Sequence, residues 1–181
     1  MDSYQAAAAL GTREHLPWVE HKLGLAFDQL GEWDLAECYF KSALESLEES
    51  QDKNDQIAER AAVKALIYAD RSRSAYRRGQ TAQASRLASQ ALELAEASHF
   101  APALAQAYNN LGILARAAGS YPEAIQSLQR SLEIAQTLDD AGPQAAALNN
   151  LARVYAESGQ AQEAIRLTGR ALEICQQRGD H

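Results

Sequence analysis

Shifted by 40 residues, this chain of 181 residues lies on itself. The stretch YNNLGILARAAGSYPEAIQSLQRSLEIAQ (residues 108–136) aligns with LNNLARVYAESGQAQEAIRLTGRALEICQ (148–176), and the same offset carries Gly79 onto Gly119 and Gly119 onto Gly159. An earlier copy, HKLGLAFDQLGEWDLAECYFKSALESLEE, places Gly31 48 residues before Gly79, so an eight-residue insertion near residues 49–56 separates the first two copies. Four similar units of this size cannot each bury a core alone; they must stack, each unit covering the apolar face of the next.

Every copy breaks at its glycine into two segments with apolar residues at i, i+3, i+4 and i+7, the spacing of an amphipathic helix. Each unit therefore reads as a helical hairpin, with Gly31, Gly79, Gly119 and Gly159 at helix C-termini, where a left-handed residue turns the chain. Ser120 and Glu123 read as a capping box for the second helix of the third copy, with Pro122 in its first turn. Pro17, Pro102 and Pro143 fall at or just before the starts of first helices. Composition agrees: alanine supplies 37 residues, whereas valine, isoleucine and threonine together supply 14, too few for a large sheet.

Three columns recur through the copies. Ala36, Ala84, Ala124 and Ala164 form one, and Gly24, Ser72, Gly112 and Ala152 another; small residues let helices approach closely. Leu44, Leu92, Leu132 and Leu172 form the third and are expected to fill the core. The expected fold is all-α: a right-handed α-solenoid of about four helix-turn-helix repeats, two helices each. The repeats fall near residues 17–54, 55–100, 101–142 and 143–181 of a single domain spanning 1–181.

A period near 40 also suits HEAT or armadillo repeats, so the residue pattern must separate them. Leu-Gly before a first-helix interior, Gly-x-aromatic at the turn (Gly31/Trp33 and Gly119/Tyr121), the small alanine and the later Ala-Leu pair resemble the tetratricopeptide repeat over essentially the whole chain. The second copy departs from the pattern, with Arg71-Ser72 in place of Leu-Gly and Ala88 where a large apolar residue is usual. The fourth has Thr168 there, and looser packing is expected at both. The linkers ASHFAP (97–102) and LDDAGP (138–143) resemble the long-repeat variety in arrays of bacterial signal-transducing ATPases and regulators. That likeness implies a sensor or regulatory arm, with any ATPase outside this chain. Residues 4–10 match the end of a second helix and read as the remnant of a preceding repeat. The chain stops at QQRGDH where another first helix is expected, so it reads as a piece of a longer array.

The formal charge of −7 and a pI near 5.1 argue against a general nucleic-acid binder, whose affinity comes largely from neutralised phosphates. The apolar run at residues 6–10 is too short for a signal core or a membrane span, and the expected location is cytoplasmic. Cys38 and Cys175 match no metal or disulfide spacing and read as free thiols; His15, His21, His99 and His181 are scattered. No metal or other cofactor is expected. Nor does a Ser–His–Asp order, phosphate-binding loop or H-E-x-x-H motif occur, so the chain reads as non-catalytic.

Recognition is expected on the first helices, which line one continuous concave surface in a stacked array. By register that surface collects His21, Lys22, Asp70, Arg73, Arg77, Gln106, Asn109, Asn110, Arg116, Asn149, Asn150 and Arg153. Asparagine is a poor helix-interior residue, so the pairs Asn109-Asn110 and Asn149-Asn150 require either a ligand or a hydrogen bond within the array. The family resemblance implies the former, with Asn110 and Asn150 bonding the backbone of a bound peptide. Lys22 and Asp70 hold that column in the first two copies, which confines the pattern to the C-terminal half. Arg73, Arg77, Arg116 and Arg153 suit carboxylates through planar bidentate bonds, or pair with neighbours such as Asp70 and Glu157. Trp18, Phe27, Tyr68, Tyr108 and Tyr155 read as packing residues, the expected exception being Trp18, on the inward side, as a stacking surface. The resulting expectation is a protein–protein interaction scaffold that binds an extended, acidic peptide segment in its groove, with neither membrane nor nucleic acid as partner. The alternative is a structural segment that self-associates through the solenoid ends.

Overall fold

Four left-handed glycines divide the chain as the repeat requires. The computed structural model describes residues 16–49, 57–138 and 140–178, among which lie eight α-helices and no strand. They are α1 (Leu16–Leu30), α2 (Trp33–Glu49), α3 (Ile57–Arg77), α4 (Thr81–Ser98), α5 (Ala101–Ala117), α6 (Tyr121–Thr137), α7 (Ala141–Glu157) and α8 (Ala161–Arg178). Gly31, Gly79, Gly119 and Gly159 have φ of 80°, 74°, 78° and 82°, and the residue after each donates its N–H to the carbonyl five residues back. This is the Schellman closure of a helix, and it makes each glycine the hinge of one hairpin. The readings of residues 4–10, of the insertion core at 50–56, of His15 and of the last three residues fall outside the described residues.

Helix starts are less uniform. Ser120 occupies the N-cap of α6 but its side chain makes no capping bond, so the expected capping box does not form; Pro122 sits in the first turn. A side-chain cap is made instead by Asp140, whose carboxylate accepts from Gly142 N at 3.0 Å to start α7. His99 takes a left-handed conformation after α4 and donates its N–H to Glu96 O.

The two small-residue columns mark where the helices of one hairpin nearly touch. Ala36, Ala84 and Ala124 are fully buried, and Ala164 nearly so. A Cβ added to Gly24 would lie 2.6 Å from the Phe40 ring, and one added to Gly112 would lie 2.5 Å from Leu128 Cγ. The second repeat meets the same constraint differently. Ser72 is buried and donates its hydroxyl to Ala84 O at 2.8 Å, while Arg71 bonds Glu37 of α2 and lies over the Tyr68 ring. These bonds stand where Leu-Gly would pack, and Ala88 is fully buried, while Thr168 in the fourth repeat is exposed and donates its hydroxyl to Ala164 O at 2.9 Å.

The leucine column needs correction. Leu44, Leu92 and Leu132 are only half-buried and Leu172 is 57% exposed, whereas Phe40 and Leu128 fill the hairpin cores. The column points toward the following repeat: Leu132 packs on a cluster containing Leu148 and Leu151 of α7, and Leu92 on one containing Ala107 of α5. Among the described residues no helix follows α8, which leaves Leu172 uncovered.

Successive first helices touch each other (α1 with α3, α3 with α5, α5 with α7), and each second helix packs on the next first helix. Successive second helices make negligible contact. A stack whose units are closer along one side than the other must curve, so α1, α3, α5 and α7 line the inner face of an α-solenoid. Among the described residues no helix is long and apolar enough to cross a membrane.

Candidate functional site

The floor of the inner face is a ladder of polar bonds running from repeat to repeat. Asp70, buried on α3, stands at its centre. Its Oδ2 lies 2.8 Å from His21 Nε2 on α1, and its Oδ1 accepts from Arg73 at 2.7 Å and from Gln106 of α5 at 2.5 Å. An ionised carboxylate only accepts, so His21 donates through Nε2. His21 is itself buried, within 6.0 Å of the Phe40 ring and 6.1 Å of Trp18. One rung lower, Arg77 reaches the carboxylate of buried Asp28 and also donates to the Asp28 carbonyl, again joining α3 to α1.

The asparagine pairs continue the ladder. Asn110 is 4% exposed and donates its amide to Ala69 O at 2.6 Å, tying α5 to α3. Asn150 donates to Asn109 Oδ1 at 2.9 Å, tying α7 to α5. Arg116 bridges in both directions, to Tyr76 OH at 3.3 Å and to Glu157 at 2.6 Å. Both arginine partners foreseen within the array, Asp70 and Glu157, are thus engaged. Lys22, Asn149 and Arg153 are exposed and make no side-chain bond among the described residues. Phe27 stacks on Tyr39 at 5.3 Å and Tyr155 lies against the α6–α8 core, whereas Trp18 is 38% exposed.

Above this floor, between α5 and α7, opens a pocket of about 480 Å³. Arg73, Gln106 and Asn109, three of the residues singled out in the sequence, line it; the other polar candidates named there do not. Leu66 and Ala146 of the inner face line it as well, together with Pro102, Leu138, Asp140 and Pro143, which sequence reasoning did not place on the groove. Three of these, Leu138, Asp140 and Pro143, belong to the LDDAGP linker, which in the sequence marks only the long-repeat variety. The available signal is an acidic residue directly before Ala-Gly-Pro, where a cap fixes the linker against the groove. Asp28 went unremarked as well. A carboxylate on the apolar side of a first helix demands a cation, and Arg77 supplies it.

The described residues contain no cluster of histidine, cysteine and carboxylate side chains able to hold a metal. Cys38 is exposed and Cys175 half-buried, both free. His99 is exposed in the turn after α4.

Fold and inner face together define a helical-hairpin repeat scaffold, whose concave surface is assembled from equivalent positions of successive units. The chain belongs to the tetratricopeptide repeat family: the family's model matches residues 63–137 and 103–177, more than half of the chain. No curated protein matches it. Solved structures share the fold. BtubC (BKLC) from P. vanneervenii superposes with a TM-score of 0.69 at 22% identity over 93% of this chain and 66% of that one. The apo form of RapI gives 0.73 at 17% identity over 97% and 48%. A signal transduction ATPase with numerous domains, carrying a tetratricopeptide repeat sensor, from Pyrococcus horikoshii gives 0.65 at 18% identity over 92% and 24%. The chain spans less than two thirds of the length of each of these proteins. Members of this repeat family are scaffolds for protein partners.

Proposed function

We propose that the chain binds an extended, acidic segment of a partner protein along its concave face, in the cytoplasm, as a sensor or regulatory arm of a larger signalling protein. The observation that carries this reading is the open pocket on the inner face, bordered by Arg73 and Asn109. Ten of the candidate residues divide into two roles. His21, Arg77, Asn110, Asn150 and Arg116 brace neighbouring repeats and hold the groove in shape before any ligand arrives, which lowers the ordering cost of binding. Lys22, Arg73, Asn109, Asn149 and Arg153 meet the ligand, the arginines on carboxylates and the amides on backbone groups. The tetratricopeptide repeat sensor named for the Pyrococcus horikoshii protein supports the regulatory placement.

Peptide-array binding of the wild type and of an Arg73→Gln/Asn149→Ala/Arg153→Gln variant, both checked for helicity by circular dichroism, tests this reading. Acidic segments should bind the wild type and fall by about tenfold in the folded variant, the size of two or three lost charge-assisted bonds in a solvated groove. A wild type that selects no segment overturns the proposal.

One observation favours a second role. Ile165 and Leu172 of α8 are 72% and 57% exposed, although their counterparts Ile125 and Leu132 of α6 pack against the core shared with α7. This apolar strip suits stacking of the solenoid end on another copy. Sedimentation velocity tests it: mass that rises with concentration, and stays monomeric in Leu172→Lys, supports the role, and concentration-independent mass removes it.

A further inference from the structure

The pocket between α5 and α7 has two chemically different ends, and that difference specifies more than an acidic ligand. Arg73 lies about two helical turns beyond Leu66 along α3, toward the C-terminal ends of the first helices. Asp140 lies at the opposite end, at the start of α7. The wall between them is mostly apolar, made by Leu66, Pro102, Pro143 and Ala146, with Gln106, Asn109 and Ser131 also lining it. Both charged residues keep unused capacity. The Arg73 side chain is 44% exposed and gives Asp70 only its Nη2, so among the described residues its remaining donors have no partner. Asp140 is exposed and accepts from Gly142 N through Oδ1 alone. Asn109 accepts through Oδ1 from Asn150 and lines the cavity, and its amide donors have no partner among the described residues.

We propose that this pocket is the specificity subsite of the groove: it takes one leucine-sized or aromatic side chain of the bound segment, flanked by an acidic residue on the Arg73 side and a basic residue on the Asp140 side. The inference rests on the peptide-binding reading above and narrows it. A volume of about 480 Å³ lies within the range of pockets that enclose a small ligand, roughly 300–1,000 Å³, and exceeds what a methyl group fills. An apolar side chain displaces water from the proline and leucine walls, and this supplies affinity without direction. Direction comes from charge. A carboxylate beside that side chain meets the free edge of the Arg73 guanidinium, but at the far end it would meet the Asp140 carboxylate and be repelled. The acidic character of the ligand is thus local and one-sided at this subsite.

The test uses the whole chain and fluorescent serine heptapeptides with a central leucine, flanked by Asp and Lys in either order, by Asp on both sides or by Lys on both sides. Alanine-centred versions and a long acidic segment serve as references. Anisotropy should show one Asp/Lys order binding about tenfold more tightly than its alanine-centred version, as expected for burial of a leucine side chain. Ala146→Trp, at an exposed position, fills the pocket and should erase the leucine preference. Asp140→Asn keeps the N-cap and removes its charge, so the preference for lysine should shrink by about threefold. If the long acidic segment binds while leucine and alanine peptides are indistinguishable, or Ala146→Trp changes nothing, the subsite is wrong and the groove reading stands. If no peptide of either kind binds, the groove reading itself fails and the subsite falls with it.

Discussion

His21 of α1 and Asp70 of α3 lie 2.8 Å apart with both side chains buried, and the same carboxylate accepts from Gln106 of α5. One side chain therefore joins the first helices of three consecutive repeats. Removing it strands three donors on the groove floor, two of them buried or half-buried. Asp70→Ala should lower unfolding stability in urea by about 3 kcal/mol, the range for breaking a buried polar pair. A double-mutant cycle with His21→Ala should return a coupling of about 1 kcal/mol or more. Additive single effects would mean that the two groups do not share the bond.

Asn110 and Asn149 are alike in type and lie in adjacent columns, but they carry different burdens. Asn110→Ala leaves the Ala69 carbonyl without its partner at a site that is 4% exposed, a loss of about 1–3 kcal/mol by chemical denaturation. Asn149→Ala, at an exposed position, should stay within about 0.5 kcal/mol of wild type. Equal costs would contradict the division between bracing and ligand-facing amides.

Two glycines of helix interiors should respond with opposite sign. Gly112→Ala drives a methyl to 2.5 Å from Leu128 Cγ and 3.2 Å from the Ala124 carbonyl, so it should destabilise by about 1–3 kcal/mol. A Cβ at Gly169 meets nothing within 4 Å, so Gly169→Ala should gain up to about 1 kcal/mol from helix propensity alone. Thermal melts followed at the helical circular-dichroism band would rank the two against wild type.

The leucine column should show the position of each repeat in the stack. Leu132→Lys introduces a charge against the α7 core and should cost about 2 kcal/mol or more, whereas Leu172→Lys, on the uncovered face of α8, should cost no more than about 0.5 kcal/mol. Comparable losses would indicate that Leu172 is covered in solution.

Much of the fold was legible because the constraints that set it are local. A glycine is required wherever φ is near +80°, and Gly31, Gly79, Gly119 and Gly159 stand there. The alanine and glycine columns announced close helix contact, and Gly24 against Phe40 and Gly112 against Leu128 show how close. The leucine column was harder to read. Its side chains have the right period for a core, but they lie on the face that meets the next hairpin, and only the presence or absence of that hairpin sets their burial. Ser120 illustrates a further limit: the capping-box residues are present, yet no side-chain cap bond closes at α6.

The candidate site divided along the same line. Sequence register placed His21, Asp70, Arg73, Gln106 and the asparagine pairs on one inner surface, because a 3.6-residue period fixes the face a side chain occupies. Register does not say which of them are already spent. The partners of Asn110, Asn150 and Arg116 lie 40 or 41 positions away and become partners only when hairpins dock. By itself, then, the sequence determined the helical hairpins, their number and the membership of the inner face, all consequences of backbone period and turn chemistry. Only the tertiary structure decided which polar groups brace the array, which remain open to a ligand, and that the LDDAGP linker shapes a pocket. Those outcomes depend on distances between repeats, which no local propensity encodes.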